Sequence, residues 1–285
     1  STGDNTLDGG TGKDTITSFD GSDTIVIRSG DGNTDIANAD VLTDFTDGTD
    51  FVGMDAITFD DLTIGQGTGD YASHTVISLT SSSEILLVLQ NTTASSVTAP
   101  DFASTSTANQ TLNGDSGNNT LVGGAGNDTF TTGAGSNAIY GHGGDDAVTV
   151  SGKSGSFTDV IDGGTGTDSL TISYTGISSL SDFTISQDGD YRVLTDSSGG
   201  VIKFKNVESL TVGSYAYTEN TTAKFYWNST EKTLYFYGGG SSSAADITGD
   251  MSGSGALAGF ATGLTVDVWS DTLTVQGSAS ADSMN

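Results

Sequence analysis

Leu112-Asn-Gly-Asp-Ser-Gly-Asn-Asn-Thr120, Leu121-Val-Gly-Gly-Ala-Gly-Asn-Asp-Thr129, Phe130-Thr-Thr-Gly-Ala-Gly-Ser-Asn-Ala138 and Ile139-Tyr-Gly-His-Gly-Gly-Asp-Asp-Ala147 follow one another without a gap. Each unit opens on an apolar residue, runs through a glycine-rich stretch and closes on Asn or Asp before a small residue, Thr or Ala. Ile161-Asp-Gly-Gly-Thr-Gly-Thr-Asp-Ser169 repeats the pattern after an interruption, and Leu7-Asp-Gly-Gly-Thr-Gly-Lys-Asp-Thr15 places another copy near the start. A fixed period of this kind marks a solenoid of stacked units. The apolar residue reads as a short strand with one buried side chain, and the glycines allow the positive φ that a tight turn needs. Turns on one edge then come from every second unit.

That winding sorts the acidic position onto two edges. One edge carries Asp128, Asp146 and Asp168; the other carries Asn119, Asn137 and, with four residues inserted before Phe157, Asp159. Asp14 and Asp23 hold the same position near the start. Stacked carboxylates and backbone carbonyls make an all-oxygen environment, which suits Ca²⁺ with its six to eight hard ligands. Asn supplies a neutral oxygen, so the Asn-bearing edge is expected to bind calcium more weakly. The alternative is that these residues only shape turns.

The units resemble the RTX, or hemolysin-type, calcium-binding nonapeptide of secreted bacterial proteins, Gly-Gly-x-Gly-x-Asp-x-apolar-x. The resemblance implies a parallel β-roll, several Ca²⁺ ions between neighbouring turns and export by a type I secretion system. It covers residues 1–24 and 107–170 directly. Residues 34–105 resemble the capping segment after β-rolls in serralysin-like and cyanobacterial RTX proteins; there Asp40, Asp44, Asp47 and Asp50 are candidates for a further ion, or equally a solvated acidic turn. The phrase Asn206-Val-Glu-Ser-Leu210 looks like the segment that follows such arrays in large surface proteins. The expected class is all-β: roll segments at 1–33 and 107–170, alternating with antiparallel capping or flanking segments at 34–106 and 171–217, and an aromatic hairpin segment at 218–285 leading into a further repeat.

Composition narrows function. With 36 Asp and Glu against 8 Lys and Arg, the formal net charge is −28, which repels nucleic-acid phosphates and anionic membranes. There is no cysteine, hence no disulfide scaffold and no thiol nucleophile. The longest aliphatic run, Ile85–Leu89, is far short of the ~20 residues of a membrane span. No cleavable signal is read within Ser1–Gly10. The 41 glycines in 285 residues are about twice the usual ~7%.

Catalytic patterns are weak. Gly114-Asp115-Ser116-Gly117 mimics a serine-protease nucleophile loop but lies in register inside a repeat, and Gly152-Lys153-Ser154 echoes a phosphate loop without its first glycine. There is no His-Glu-x-x-His, and His142, in a turn, is expected to be exposed. The chain is therefore expected to be non-enzymatic: a calcium-stabilised extracellular or bacterial cell-surface structural segment, as in a surface layer, filament or adhesin. The alternatives are a glycan- or surface-binding module using the aromatic face of 224–237, with Trp227 as the test residue, or the non-catalytic tail of a secreted hydrolase. Self-association or continuation in a larger repeat protein is expected from the ends, because Met284-Asn285, one glycine and Ser1–Leu7 together reproduce the pattern of 112–121.

Overall fold

A computed structural model describes residues 2–220 and the strands 225–228, 233–236, 245–247, 265–267 and 273–275. In the first half, β1 (Thr6–Asp8), β3 (Thr24–Ile27), β5 (Phe51–Met54) and β9 (Phe102–Ser104) form one parallel sheet, and β2 (Thr15–Ile16), β4 (Val41–Leu42) and β8 (Ile85–Leu89) the facing parallel ladder. Two further strands, β6 (Leu62–Gln66) and β7 (Thr75–Leu79), extend that second sheet antiparallel from β8.

The second half repeats the plan. One sheet stacks β10 (Thr111–Asn113), β12 (Thr129–Thr131), β14 (Ala147–Val150), β16 (Ser169–Ile172) and β20 (Ser209–Val212), all parallel. The facing sheet stacks β11 (Thr120–Val122), β13 (Ala138–Tyr140), β15 (Phe157–Asp162) and β19 (Gly200–Lys205) in parallel. It then turns antiparallel through β18 (Tyr191–Asp196) and β17 (Phe183–Asp188), while β21 (Tyr215–Asn220) pairs antiparallel with β20. The fold is an all-β parallel roll with antiparallel flaps. The antiparallel strands let the chain reverse locally at the end of a parallel ladder, covering part of an edge that would otherwise present unpaired backbone.

The alternation of the repeat fixes which side chains face inward. Phe130, Val148, Leu170 and Leu210 stack from one sheet and Leu121, Ile139, Ile161 and Phe204 from the other, all in one buried cluster. Each such fully buried side chain contributes roughly 1.5–3 kcal/mol. A second cluster, with Ile25, Val52, Leu87 and Phe102, fills the first roll, and Val122 of β11 packs into it. The rolls therefore adjoin without a linker: the Ser104 N–H donates to the Gly123 carbonyl at 2.8 Å.

Three short 3₁₀ turns are built alike. Thr58, Thr98 and Ser179 each start one, with Asp61, Asp101 and Asp182 three residues later accepting from their backbone N–H groups. This reciprocal capping box introduces β6, β9 and β17 in turn.

The parallel ladders run past the expected segment boundaries. β4, β5, β8 and β9 are rungs of the first roll although they lie within 34–106, and β19 and β20 are rungs of the second although they follow residue 170. The reason is that an extra rung needs only one inward apolar stripe in register, not an intact nonapeptide. The aromatic hairpin pairs Phe225 with Phe236 and Trp227 with Leu234 along its backbone. Tyr226 is buried against the core, 6.5 Å from Phe204 between ring centroids. The side chain of Trp227, and the residues 280–285 of the proposed continuation, lie outside the described residues.

Candidate metal sites between stacked turns

The turns of the second roll form two edges. Turns 123–128, 141–146 and 163–168 make the first; turns 114–119, 132–137 and 151–159 make the second. Offsets of 18 residues between successive turns become 22 at Asn137–Asp159 and Asp146–Asp168. Pairing of Ala138 with Val160 sets Asp159 in register with Asn137.

On the first edge one carboxylate oxygen of each Asp is spent on the neighbouring turn. Oδ1 of Asp128 accepts from the Gln110 N–H at 2.7 Å, Oδ1 of Asp146 from the Asp128 N–H at 2.7 Å, and Oδ1 of Asp168 from the Asp146 N–H at 2.8 Å. A second ladder, one residue earlier, runs the other way. The N–H groups of Asn127, Asp145 and Thr167 donate to the Oδ1 atoms of Asn109, Asn127 and Asp145 at 2.9–3.1 Å. Adjacent peptide N–H groups in an extended turn point to opposite sides, so one side chain reaches up and its neighbour down. The second edge copies both ladders through Asn119–Asn137–Asp159 and Asn118–Ser136–Thr158, and so does the first roll through Asn5–Asp23–Asp50 and Asp4–Ser22.

The other carboxylate oxygen is free of this duty. Oδ2 of Asp23, Asp146, Asp159 and Asp168 is buried with no hydrogen-bond partner, whereas Oδ2 of Asp128 accepts from the Gly124 N–H at 3.0 Å. On the first edge Oδ2 faces the glycine that opens its own turn. A Cβ on Gly123 would lie 2.5 Å from Asp128 Oδ2 and 2.8 Å from the Gly141 carbonyl. One on Gly141 would collide with Asp146 Oδ2 and the Gly163 carbonyl, and one on Gly163 with Asp168 Oδ2 and the Asn206 carbonyl. Glycine here keeps a small oxygen-lined cradle open between successive turns. Orphaned buried carboxylate oxygens beside backbone carbonyls are a donor set for a hard cation. Among the described residues no three His, Cys, Asp or Glu side chains gather at one point, so such a site draws mainly on carbonyls.

Without a counter-ion these carboxyls resist ionising. Burial, followed by the charges of Asp168 and Asp128, pushes Asp146 up to about 7. Asp168 and Asp159 are also raised, each chiefly by burial.

The remaining expected residues divide. Asp14 and Asp40 share one edge of the first roll: Asp40 Oδ1 accepts from the Asp14 N–H at 2.8 Å, and Oδ2 of both face Gly9 in a cradle like that of Gly123. Burial and the Asp14 charge raise Asp40. Asp44 lies beyond the other end of β4, with its oxygens taken by the Ser18 N–H and hydroxyl and the Phe19 N–H. Asp50 accepts from the Asp23 and Thr46 N–H groups. Asp40 therefore does not converge with Asp44, Asp47 and Asp50 as the acidic run suggests, because β4 separates them, and Asp44 serves as a turn acceptor.

Three features escape a reading of the repeats. Glu208 completes the first edge, its Oε2 accepting from the Asp168 N–H at 2.6 Å. Its signal is the match of Glu208-Ser-Leu210 to Asp168-Ser-Leu170, whose serines and leucines pair across β16 and β20. Lys153 enters the second edge, its ammonium 2.9 Å from Asp159 Oδ1. His142 is half-buried rather than exposed, edge-on to Phe51 at 5.6 Å with φ of +68°; it sits where the rolls adjoin, and burial lowers its pKa. Gly114–Gly117 is an ordinary turn in which Asp115 Oδ1 accepts from the Gly117 N–H at 2.7 Å.

The family described as RTX calcium-binding nonapeptide repeat (4 copies) matches residues 1–33, 107–148 and 154–171. These segments are RTX repeats, and the calcium-binding β-roll is the structure they build. No curated protein matches the chain. Among solved structures, extracellular lipase LipA from Serratia marcescens is similar at 16% identity over 73% of this chain, with a TM-score of 0.22. The chain spans 37% of that lipase's length. Among the described residues no helix is long and apolar enough to cross a membrane.

Proposed function

We propose that the chain is a calcium-stabilised structural segment of an extracellular or cell-surface bacterial protein, and that it carries no active site of its own. The observation that supports this reading is the in-register column of Asp128, Asp146 and Asp168, whose Oδ2 atoms share glycine-kept cradles with the Gly141, Gly163 and Asn206 carbonyls, those of Asp146 and Asp168 without a hydrogen-bond partner. Those atoms would hold Ca²⁺ on the first edge. Asp14 and Asp40 beside Gly9, and Asp23 with its unpartnered Oδ2, would do so in the first roll. The ion would supply positive charge to a column that otherwise stacks like charges; the residues orient the oxygens and lock the turns through Oδ1. In the calcium-poor cytoplasm the uncompensated column favours an open chain, which suits export; outside, millimolar calcium matches the 10⁻⁴–10⁻³ M dissociation constants of extracellular sites.

The test is a calcium titration followed by circular dichroism and melting. The β signal and melting temperature are expected to rise together as calcium is added and to fall in chelator. A chelator-insensitive melt would overturn the proposal.

A further inference from the structure

The second edge departs from the first in three linked ways. Thr132 stands where the first-edge turns have Gly123, Gly141 and Gly163, and it is fully buried, with its Oγ1 3.2 Å from the Gly133 carbonyl. A side chain thus enters the position that glycine keeps open on the other edge. Next, Asn137 replaces the carboxylate: Oδ1 still accepts from the Asn119 N–H at 2.8 Å, but Nδ2 turns to donate to the Ala134 carbonyl at 2.8 Å. Last, the lengthened turn that changes the offset from 18 to 22 residues carries Lys153.

Lys153 is the one basic side chain fully buried among the described residues. Its Nζ donates to the Gly135 carbonyl at 3.0 Å and to Asp159 Oδ1 at 2.9 Å, and lies 5.0 Å from the centroid of the Phe157 ring. Gly135 holds the place in its repeat that Gly126 and Gly144 hold in theirs. The ammonium therefore joins a turn carbonyl of one repeat to the acidic position of the next. Arg28, by contrast, binds Asp8, Asp31 and Asp55 in an open cluster, with 32% of its side chain exposed.

We propose that Lys153 is a tethered cation: between turns 132–137 and 151–159 its ammonium supplies, through a turn carbonyl and Asp159 Oδ1, the positive charge that a calcium ion would supply through Oδ2 between first-edge turns, so this step of the second edge closes without metal. The inference rests on the calcium reading of the first edge. Its consequence is a roll with two kinds of edge. One assembles when calcium arrives, while the other is held by an intramolecular charge whose effective concentration no chelator changes. Removing the ammonium frees the Gly135 carbonyl beside the already unpartnered Asp159 Oδ2, while Asp159 Oδ1 keeps its bond from the Asn137 N–H at 2.9 Å. With the amide oxygen of a Gln at 153, those atoms become an oxygen set for Ca²⁺.

Equilibrium dialysis against radiolabelled calcium, with melting in chelator, separates the outcomes on the full chain. Lys153→Gln is expected to bind one more Ca²⁺ than the wild type. Its melting temperature in chelator should fall by about 10 °C, as for a buried pair stripped of one partner, and calcium should restore it. The double variant Lys153→Gln/Asp159→Asn should return to the wild-type calcium count and recover most of the melting temperature, because it copies the neutral Asn119–Asn137 step. A wild type that binds no calcium would refute the first-edge reading instead. An unchanged count in Lys153→Gln overturns the tethered cation. If that variant fails to fold, the double variant decides: a folded double variant supports the role, and an unfolded one overturns it.

Discussion

Asp146→Asn separates the two duties of the acidic position. In the wild type Oδ1 accepts from the Asp128 N–H at 2.7 Å, while Oδ2 is buried without a partner. Asn137 shows what an amide does at this place in the repeat: it keeps the ladder bond and turns Nδ2 onto the carbonyl three residues back. For Asp146→Asn that carbonyl belongs to Gly143. The substitution therefore preserves the turn and removes only the charge. Without calcium the charge is a burden, since the carboxyl is pushed up to about 7 from an ordinary 3.8. At about 1.4 kcal/mol per pH unit this bounds the cost of ionising it at about 4 kcal/mol, of which solvent screening leaves about half. In chelator at pH 8 the variant is expected to be more stable than the wild type by about 2 kcal/mol, a rise in melting temperature of about 4–8 °C. With calcium at a hundred times the dissociation constant, the wild type gains about 2.7 kcal/mol per site, and the variant forfeits most of that gain at this site. Scanning calorimetry in chelator and in calcium should thus show the order of stabilities invert. Equal calcium-induced shifts in the two proteins would refute the division of labour between Oδ1 and Oδ2.

Other expectations follow from the same geometry. Gly141→Ala, whose Cβ would collide with Asp146 Oδ2 and the Gly163 carbonyl, should cost about 1–3 kcal/mol by overpacking and weaken calcium binding in a dialysis assay. Gly65→Ala, with nothing within 4 Å, should change neither. In chelator, stability should fall as pH rises from about 4 to about 7: the folded Asp146, raised to about 7, holds its proton where the unfolded group at 3.8 has lost it, so the folded state binds more protons across that window. Urea midpoints measured at pH 5 and pH 8 check the sign. Glu208→Ala leaves the Asp168 N–H without its 2.6 Å acceptor and should cost about 1.5–3 kcal/mol, whereas Glu208→Gln should cost much less in the same urea titration.

Much of this was written in the period. A nine-residue spacing with one apolar residue per unit can bury that residue only by coiling into rungs, so the parallel roll, the two edges and the column Asp128–Asp146–Asp168 follow from covalent distance alone. The same spacing placed Asp159 below Asn137 once the insertion was allowed for. The opposed ladder one residue earlier was not read from the sequence: the pairs Asp4-Asn5, Asn118-Asn119, Asn127-Asp128 and Asp145-Asp146 stand at its positions, but the bonds depend on peptide orientation within the turn.

Tertiary structure decided the rest, because strand pairing across long insertions is set by which apolar stripes pack and not by sequence distance. Glu208 reaches the first edge from 40 residues away only because β20 pairs with β16. Asp40 joins Asp14 and parts from Asp44 because β4 is a rung of the first roll and carries the two acids to opposite edges. Lys153 reads in the chain as a basic residue in a glycine-serine loop. Only the packing of that loop against the preceding turn buries its ammonium between a carbonyl and a carboxylate, the place where a charge has no water to answer it and must find a partner in the protein.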